Sequence, residues 1–225
     1  DLKVFVDEEQ IQAVEALMDQ HGYLPASKMA GAFNSLRPLD LIWPYMINNY
    51  MKGKKPMPFD LLYWNADSTR MPLANHRVYL RECYLENRLA KGEMVIEGET
   101  LDLKRIKMPV YNLATKEDHI APARSVFVGS GKFGGTVRYV MAGSGHIAGV
   151  VNPPEKRKYQ FWTGGAPAGA FEDWLAAAEE HPGSWWPDWL AWLKGVNAKT
   201  APARQPGTVL KPLGDAPGDY VKVRG

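Results

Sequence analysis

Two short apolar runs in the middle of the chain stand out in its pattern of hydrophobic and polar positions. Residues 110–114 and 137–141 are rich in Val, Tyr and other apolar side chains and are bounded by Gly, Pro or charged residues, so each run predicts a buried strand. Between them, residues 122–128 predict a helix that begins at a proline and ends at Gly129. A strand–helix–strand unit leaves its two strands parallel and usually close together. The pattern therefore predicts an α/β fold built around a parallel strand pair.

A polar turn with an ionisable residue follows each predicted strand. Asp118 follows the first strand, and His146 follows the second at the end of a Gly-Ser-Gly-His sequence. Parallel strands end at the same edge of a sheet, and open α/β sheets carry their functional residues at that edge, so we expect both side chains there. A carboxylate so placed can orient an imidazole and stabilise its charged form. The alternative is a solvated aspartate beside an unrelated histidine.

The segments on either side of this unit have mainly helical patterns. Before it, the predicted elements are helices at 7–22, 38–51 and 73–89 and a hairpin at 93–103 that turns at Glu97 and Gly98. After it, they are a polar, proline-rich connection at 152–167, a helix from 171 that stops at 181–183, a helix at 184–195, and an extended tail from Ala198. A sheet of only two strands would leave its edges and faces exposed. We therefore expect the chain to be the second half of an α/β protein.

Composition narrows the class of protein but identifies no further candidate functional residues. The 45% of hydrophobic and 23% of charged residues are typical of a globular protein, and the sequence lacks the run of about 18 apolar residues that a membrane span needs. Its first residues, with no basic end and no apolar stretch, predict no signal peptide. One cysteine excludes an internal disulfide framework and fits a reducing cytoplasm. A net charge of +2 is too small to predict nucleic-acid binding.

An acid followed by a histidine is the order of the α/β-hydrolases, but the nucleophile that should precede them is not found. These enzymes carry it in a Gly-x-Ser-x-Gly-type elbow, and the chain contains no such sequence with Ser or Cys. Cys83 lies within a helical apolar pattern, which predicts a buried structural cysteine. Ser144, which has a glycine on each side, leaves open a weaker alternative in which the chain is a complete hydrolase.

Other patterns give weaker predictions. Gly143, Gly145 and Gly149 imitate a dinucleotide-binding loop, but the spacing is wrong and prolines soon follow. The histidines lack the spacing of metal ligands, so we predict neither a metal nor another cofactor. His119 is expected to support its turn rather than to act as a base. Six tryptophans fall between residues 162 and 192 and predict core or interface packing.

Long sequence motifs carry a resemblance to a known family. In order along the chain they are FVDEEQIQ, FNSLRPLDLIWPYMINNYMKG, PFDLLYWNADSTRMP, YLRECYLEN, KEDHIAP, GSGHIAGVVNPP and GSWWPDW. Over nearly its whole length the chain resembles class I poly(3-hydroxyalkanoate) synthases, acyltransferases that polymerise 3-hydroxyacyl units from coenzyme A thioesters and release coenzyme A. The resemblance implies the C-terminal part of an α/β-hydrolase core at 106–225, with Trp-rich helices and an extended tail, preceded by a mostly helical cap insertion at 1–105. It also implies homodimers formed through the cap, and a cytoplasmic enzyme at the surface of polyester granules.

The same resemblance assigns residues to the site. The family's acid falls on Asp118, its base falls on His146, and Trp64 is expected to contact substrate near the mouth of the pocket. The family's nucleophilic cysteine lies upstream of all these motifs, so we expect this chain alone to be inactive. Its partners would be the 3-hydroxyacyl-coenzyme A substrate, the growing polyester and the upstream half of the synthase, with no nucleic acid and no membrane span.

Several alternatives stay open at this point. Asp118 could orient His146, or it could activate the 3-hydroxyl group of the incoming unit. The chain could also be a non-catalytic interaction or dimerisation fragment, or a hydrolase of the α/β-hydrolase superfamily.

Overall fold

The computed structural model describes residues 6–36, 38–56 and 70–223. The chain forms two compact units, one made of Asp1–Asn87 with Arg204–Gly225 and the other of Arg88–Ala203. The subdomain boundary that the resemblance places between residues 105 and 106 stays a prediction. Both candidate site residues at the sheet edge belong to the second unit.

The regular elements described in the first unit are helical. α1 begins after Asp7, whose side chain caps the helix by accepting a hydrogen bond from the Gln10 N–H at 2.8 Å. The helices in chain order are α1 Glu8–Asp19, α2 Ala26–Leu36, α3 Pro38–Leu41, α4 Trp43–Tyr45 continued by the π-helix Met46–Met51, and α5 Leu73–Val78 continued by the π-helix Tyr79–Leu85. The chain from 198 to 219 is exposed and irregular, as predicted, and precedes a short 3-10 helix at Tyr220–Lys222.

The three helices predicted for this unit are confirmed, but two of them are divided. The second is interrupted before α4, because Pro44 has no N–H to donate to the carbonyl group four residues earlier. The third ends at Leu85, and Asn87 then takes a left-handed φ of 53° that a helix cannot accommodate. The sequence pattern does not predict α2, because Ala, Ser and Gly residues dilute its apolar periodicity.

α1 buries a stripe that includes a paired charge. Ile11 and Met18 are buried, and between them lies Glu15. The Glu15 carboxylate accepts hydrogen bonds from Nε of Arg77 at 3.0 Å and from Nε of Arg81 at 2.8 Å. The hydrogen bonds from Arg81 lower the pKa of Glu15 and outweigh the opposing effect of burial, so this carboxylate stays ionised in its buried position.

A four-stranded sheet forms the centre of the second unit. Its strands, in spatial order, are β3 (Val110–Thr115), β4 (Val137–Ala142), β5 (Gln160–Thr163) and β6 (Glu179–Pro182). β4 is parallel to β3 and antiparallel to β5, and β6 is antiparallel to β5. The elements in chain order are α6 Arg88–Lys91, the hairpin strands β1 Val95–Ile96 and β2 Glu99–Thr100, a 3-10 helix Leu103–Arg105, β3 Val110–Thr115, α7 Ala123–Ser130, β4 Val137–Ala142, a 3-10 helix Pro154–Lys156, β5 Gln160–Thr163, α8 Phe171–Ala177, β6 Glu179–Pro182 and α9 Trp186–Val196.

The predicted strand–helix–strand unit is confirmed. β3 and β4 are parallel, with Val110 opposite Val137 and Thr115 opposite Ala142, so the two strands end side by side. α7 joins them and continues one residue beyond Gly129, since a helix tolerates a glycine at modest cost. The predicted hairpin is also confirmed, and its two turn residues both have positive φ, as a tight antiparallel turn requires.

Two strands contradict the prediction for the region after β4. β5 lies within the supposed connection at 152–167, because four residues are too few to show an alternating pattern. β6 occupies the segment that the sequence pattern assigns to the end of a helix, which in fact ends at Ala177. β6 is polar and contains Pro182, and it is found at the edge of the sheet, where a residue without an N–H is tolerated.

Alternate residues of β4 reach separate cores on the two faces of the sheet. The first core consists of Ala114, Ala123, Phe127, Tyr139, Met141, Trp162 and Trp174. The second consists of Val140, Ala142 and Phe161, with the partly buried Tyr111, Leu113 and Trp185 packed against them. The two-residue period of a strand explains this division. Both faces are therefore covered, as a parallel pair requires. The prediction that tryptophans serve in core packing is confirmed for Trp162 and Trp174.

Across the described ranges, no helix combines the length and the apolar character that crossing a membrane demands.

Candidate active site

The turn after β3 holds Asp118 in one orientation. Its Oδ1 accepts hydrogen bonds from the backbone N–H groups of Ile120 at 2.8 Å and Ala121 at 2.9 Å. An aspartate that bonds the backbone two and three residues ahead closes a local turn, and here the turn leads directly into α7. The other carboxylate oxygen, Oδ2, is left to face the neighbouring turn.

The turn after β4 presents His146. Ser144 takes a left-handed φ of 68°, and its carbonyl oxygen accepts a hydrogen bond from the Glu117 N–H at 3.0 Å. A second backbone bond, from Lys116 N–H to the Ala142 carbonyl at 2.8 Å, extends the pairing of the strands into both turns. Backbone hydrogen bonds therefore join the two turns independently of any side-chain contact.

Asp118 and His146 form a hydrogen-bonded pair at this edge. Nδ1 of His146 lies 2.7 Å from Oδ2 of Asp118. An ionised carboxylate can only accept a hydrogen bond, so Nδ1 carries the proton and Nε2 of the neutral ring is left to accept one. The Asp118 side chain is 7% exposed and that of His146 is 48% exposed. The carboxylate is thus sheltered behind an imidazole that other groups can reach.

The surroundings of Asp118 keep it ionised. Burial alone would raise the pKa of this carboxyl group. The hydrogen bonds from the Ala121 N–H, from His146 and from the Ile120 N–H outweigh burial and lower the pKa below its usual value. A carboxylate with a lowered pKa and with hydrogen bonds to both oxygens is a weak base, but it orients an imidazole well.

The other residues singled out from the sequence occupy varied places. Trp64 falls in the range 57–69, outside the described residues. His119 is exposed beside Asp118, and it is the N–H groups of the two residues after it that hold the carboxylate. Cys83 lies in the π-helix of the first unit and is half-buried. The backbone of Ser144 joins the two turns, and no hydrogen bond links its hydroxyl group to His146 in the described part of the chain.

Gly149 lies in the histidine turn at a point of close packing, a role that the sequence pattern does not reveal. A Cβ atom at this position would lie 2.5 Å from the Gly143 carbonyl oxygen and 2.7 Å from Cγ2 of Thr115. Thr115 is itself buried, and its Oγ1 lies 3.4 Å from Oδ2 of Asp118. The glycines whose spacing imitates a dinucleotide loop thus allow backbone segments to approach closely. Their spacing is the only signal of this close packing in the sequence.

Across the described ranges, no group of three or more His, Cys, Asp or Glu side chains is arranged to hold a metal ion.

Comparisons with known proteins extend over the whole chain. It is 62% identical over 224 residues to the poly(3-hydroxyalkanoate) polymerase subunit PhaC of Rhizobium meliloti (strain 1021) and 64% identical over 226 residues to the poly(3-hydroxyalkanoate) polymerase of Methylorubrum extorquens. In each case the match covers 100% of this chain and 37% of the relative. It is 42% identical over 231 residues to the polymerase subunit PhaC of Cupriavidus necator, covering 99% of this chain and 39% of the relative. No protein-family model matches.

The chain therefore spans well under half the length of these relatives, and the matched region is their C-terminal part. An identity above 60% over the full chain, together with the acid and histidine at one sheet edge, agrees with the resemblance found in the sequence motifs. The chain belongs to the poly(3-hydroxyalkanoate) polymerase family.

Proposed function

We propose that this chain supplies the general base, His146, and its orienting carboxylate, Asp118, to a polymerase that builds polyester from 3-hydroxyacyl-coenzyme A thioesters. The observation that carries the proposal is the 2.7 Å contact between Nδ1 of His146 and Oδ2 of Asp118 in a member of this family. The imidazole is exposed enough for a reacting group to reach it, and the buried carboxylate stabilises the ring when it becomes charged.

The chemistry begins with proton transfer from a cysteine thiol to Nε2 of His146. The resulting thiolate attacks the carbonyl carbon of the thioester, the bond to the coenzyme A sulfur breaks, and the departing sulfur takes the proton from the imidazolium. The 3-hydroxyl group of another unit then attacks the enzyme-bound thioester, gives its proton to the imidazole, and displaces the cysteine sulfur, which recovers that proton. Each cycle forms one ester bond and releases one coenzyme A.

The role we assign to Asp118 is orientation of His146 rather than activation of the substrate hydroxyl. Two backbone N–H groups occupy Oδ1, the imidazole occupies Oδ2, and the pKa of the carboxyl group is lowered by these bonds against the opposing effect of burial. Such a carboxylate has little tendency to take a proton from a hydroxyl group, whereas it holds the imidazole in one tautomer.

The nucleophilic cysteine belongs, in this proposal, to a segment of the polymerase outside the chain. β3 pairs with β4 along one edge, and within the described residues no strand pairs with its other edge. An unpaired edge on a strand with both faces covered favours a further parallel strand there, as in an α/β-hydrolase core. The proposal includes the finer expectations of the family: a mostly helical cap at residues 1–105, homodimers formed through that cap, and a location at the granule surface in the cytoplasm.

Release of coenzyme A from 3-hydroxybutyryl-coenzyme A tests this function. We expect background release by the chain alone, and restored release when the remaining part of the polymerase, with its cysteine, is added. The same mixture with the added cysteine changed to alanine is the control and should stay at background. Release by the chain alone at the rate of the whole polymerase would contradict the proposal. A folded mixture that is inactive but binds polyester would favour the non-catalytic alternative.

A further inference from the structure

One carbonyl group beside the candidate base accepts hydrogen bonds from two tryptophans. The indole Nε1 of Trp185 lies 3.2 Å from the carbonyl oxygen of Val150, and that of Trp186 lies 3.0 Å from the same atom. An indole N–H can only donate, and a carbonyl oxygen has two lone pairs, so the two donors use the full accepting capacity of this atom. The mechanism proposed above makes no use of either tryptophan.

Val150 closes the turn that carries His146. In this turn the Gly149 N–H donates to the Gly145 carbonyl at 2.9 Å, and the N–H groups of Val150 and Val151 donate to the Ile147 carbonyl at 3.1 and 2.8 Å. These bonds form a single helical turn whose last carbonyl groups find no partner within it. The indoles provide the Val150 carbonyl with partners from outside the turn.

The two tryptophans are themselves held by the sheet. They stand at the start of α9, where Asp188 accepts hydrogen bonds from the Tyr111 hydroxyl at 2.9 Å and from Nε of Arg138 at 3.0 Å. Tyr111 lies on β3 and Arg138 on β4, so both parallel strands fix the first turn of α9. The ring of Trp185 also packs against that of Tyr111, with their centroids 6.0 Å apart.

We propose that Trp185 and Trp186 are positioning residues for His146. Their indole N–H groups hold the Val150 carbonyl at a fixed place relative to α9. The hydrogen-bonded turn at 145–151 then holds the His146 imidazole in position against Asp118. This inference rests on the proposed function, because a position matters only if His146 is the base. The two donors are partly redundant: loss of one indole N–H leaves the carbonyl group with a single, weaker attachment, and loss of both releases it.

The test uses Trp185→Phe, Trp186→Phe and the double variant in the full-length polymerase. Phenylalanine keeps an aromatic ring and removes the N–H. We expect each single variant to lose less than about three-fold in kcat and the double variant to lose roughly 10- to 100-fold, because a small displacement of a catalytic group has a large effect on rate. KM for 3-hydroxybutyryl-coenzyme A should stay within about two-fold, since binding of the ground state is unaffected.

Trp189→Phe is the matched control. Trp189 lies on the same helix, packs against Trp185 with ring centroids 5.8 Å apart, and is 41% exposed. This control should keep wild-type kcat. Hydrogen exchange provides the readout that a merely structural role would not change: in the double variant the amides of 149–151 should exchange faster, whereas those of β4 should keep their protection.

Three results would overturn the inference: a double variant with wild-type kcat, a loss of kcat matched by Trp189→Phe, or a loss accompanied by equal deprotection of β4. If the double variant does not fold, Trp186→Phe alone must accelerate exchange at 149–151 relative to Trp189→Phe, and equal exchange overturns the inference.

His146→Gln separates the two proposals. If that variant retains activity, the proposed function fails; if it is inactive while the double tryptophan variant is fully active, only the positioning role fails.

Discussion

Replacing His146 with glutamine in the full-length polymerase is expected to lower kcat for coenzyme A release by roughly 10²- to 10⁴-fold, the usual contribution of a positioned general base. Glutamine is of similar size and can still hydrogen-bond to Asp118, but it cannot take a proton from a thiol. The measurement is the steady-state release of free thiol from 3-hydroxybutyryl-coenzyme A. KM should change little, because the proton transfers made by His146 stabilise transition states and not the bound ground state.

His119→Gln is the matched control for this variant. His119 belongs to the same sheet edge and is exposed, but the hydrogen bond to Asp118 comes from His146. The control should therefore keep wild-type kcat. If the two variants lost activity equally, or if only His119→Gln lost it, the assignment of the base would be wrong.

The second large effect is expected for Gly149→Ala. The new Cβ would lie 2.5 Å from the Gly143 carbonyl oxygen and 2.7 Å from Cγ2 of Thr115, distances that no real Cβ contact adopts. The obstacle is partly the backbone of the histidine turn itself, so this turn must change its shape and shift from the end of β3. We expect a loss of about 10²-fold in kcat, since a displacement on the order of 1 Å is enough, and a loss of roughly 1–3 kcal/mol in the free energy of unfolding from overpacking.

Gly195→Ala separates this effect from a general sensitivity to added methyl groups. Gly195 lies in α9, and a Cβ atom there would meet nothing within 4 Å. Alanine also favours the helix over glycine, so the control should be as stable as the wild type or more so. Kinetics and denaturant unfolding of both variants provide the comparison. A Gly149→Ala variant with wild-type activity and stability would show that the close packing at Gly149 is not needed.

The pair at the centre of the site could be predicted from the sequence because both strands are regular. β3 and β4 each have six residues, most of them apolar, and a helix-length segment between them predicts their parallel orientation. Parallel strands in register end together, so the turns that follow them lie at the same edge of the sheet. These rules place Asp118 and His146 at one sheet edge, and the hydrogen bond between them is seen only in the structure.

The supporting contacts could not be predicted, because they join residues that are distant in sequence and carry no periodic signal. Trp185 and Trp186 appear in the sequence only as part of an aromatic cluster, and nothing there links them to Val150. β5 and β6 escape prediction because each has four residues, and the polar β6 is stabilised by its place at the edge of the sheet. Tertiary pairing, rather than local preference, creates both strands.

A double-mutant cycle on Asp118 and His146 tests the central claim most directly. The measurement is kcat for coenzyme A release by the wild type, Asp118→Asn, His146→Gln and the double variant, all in the full-length polymerase. If the carboxylate acts only by orienting the imidazole, its removal has no further effect once the imidazole is gone, and the double variant will be as slow as His146→Gln alone. A double variant in which the two losses multiply would show that the residues act independently, which contradicts a carboxylate that works only through His146.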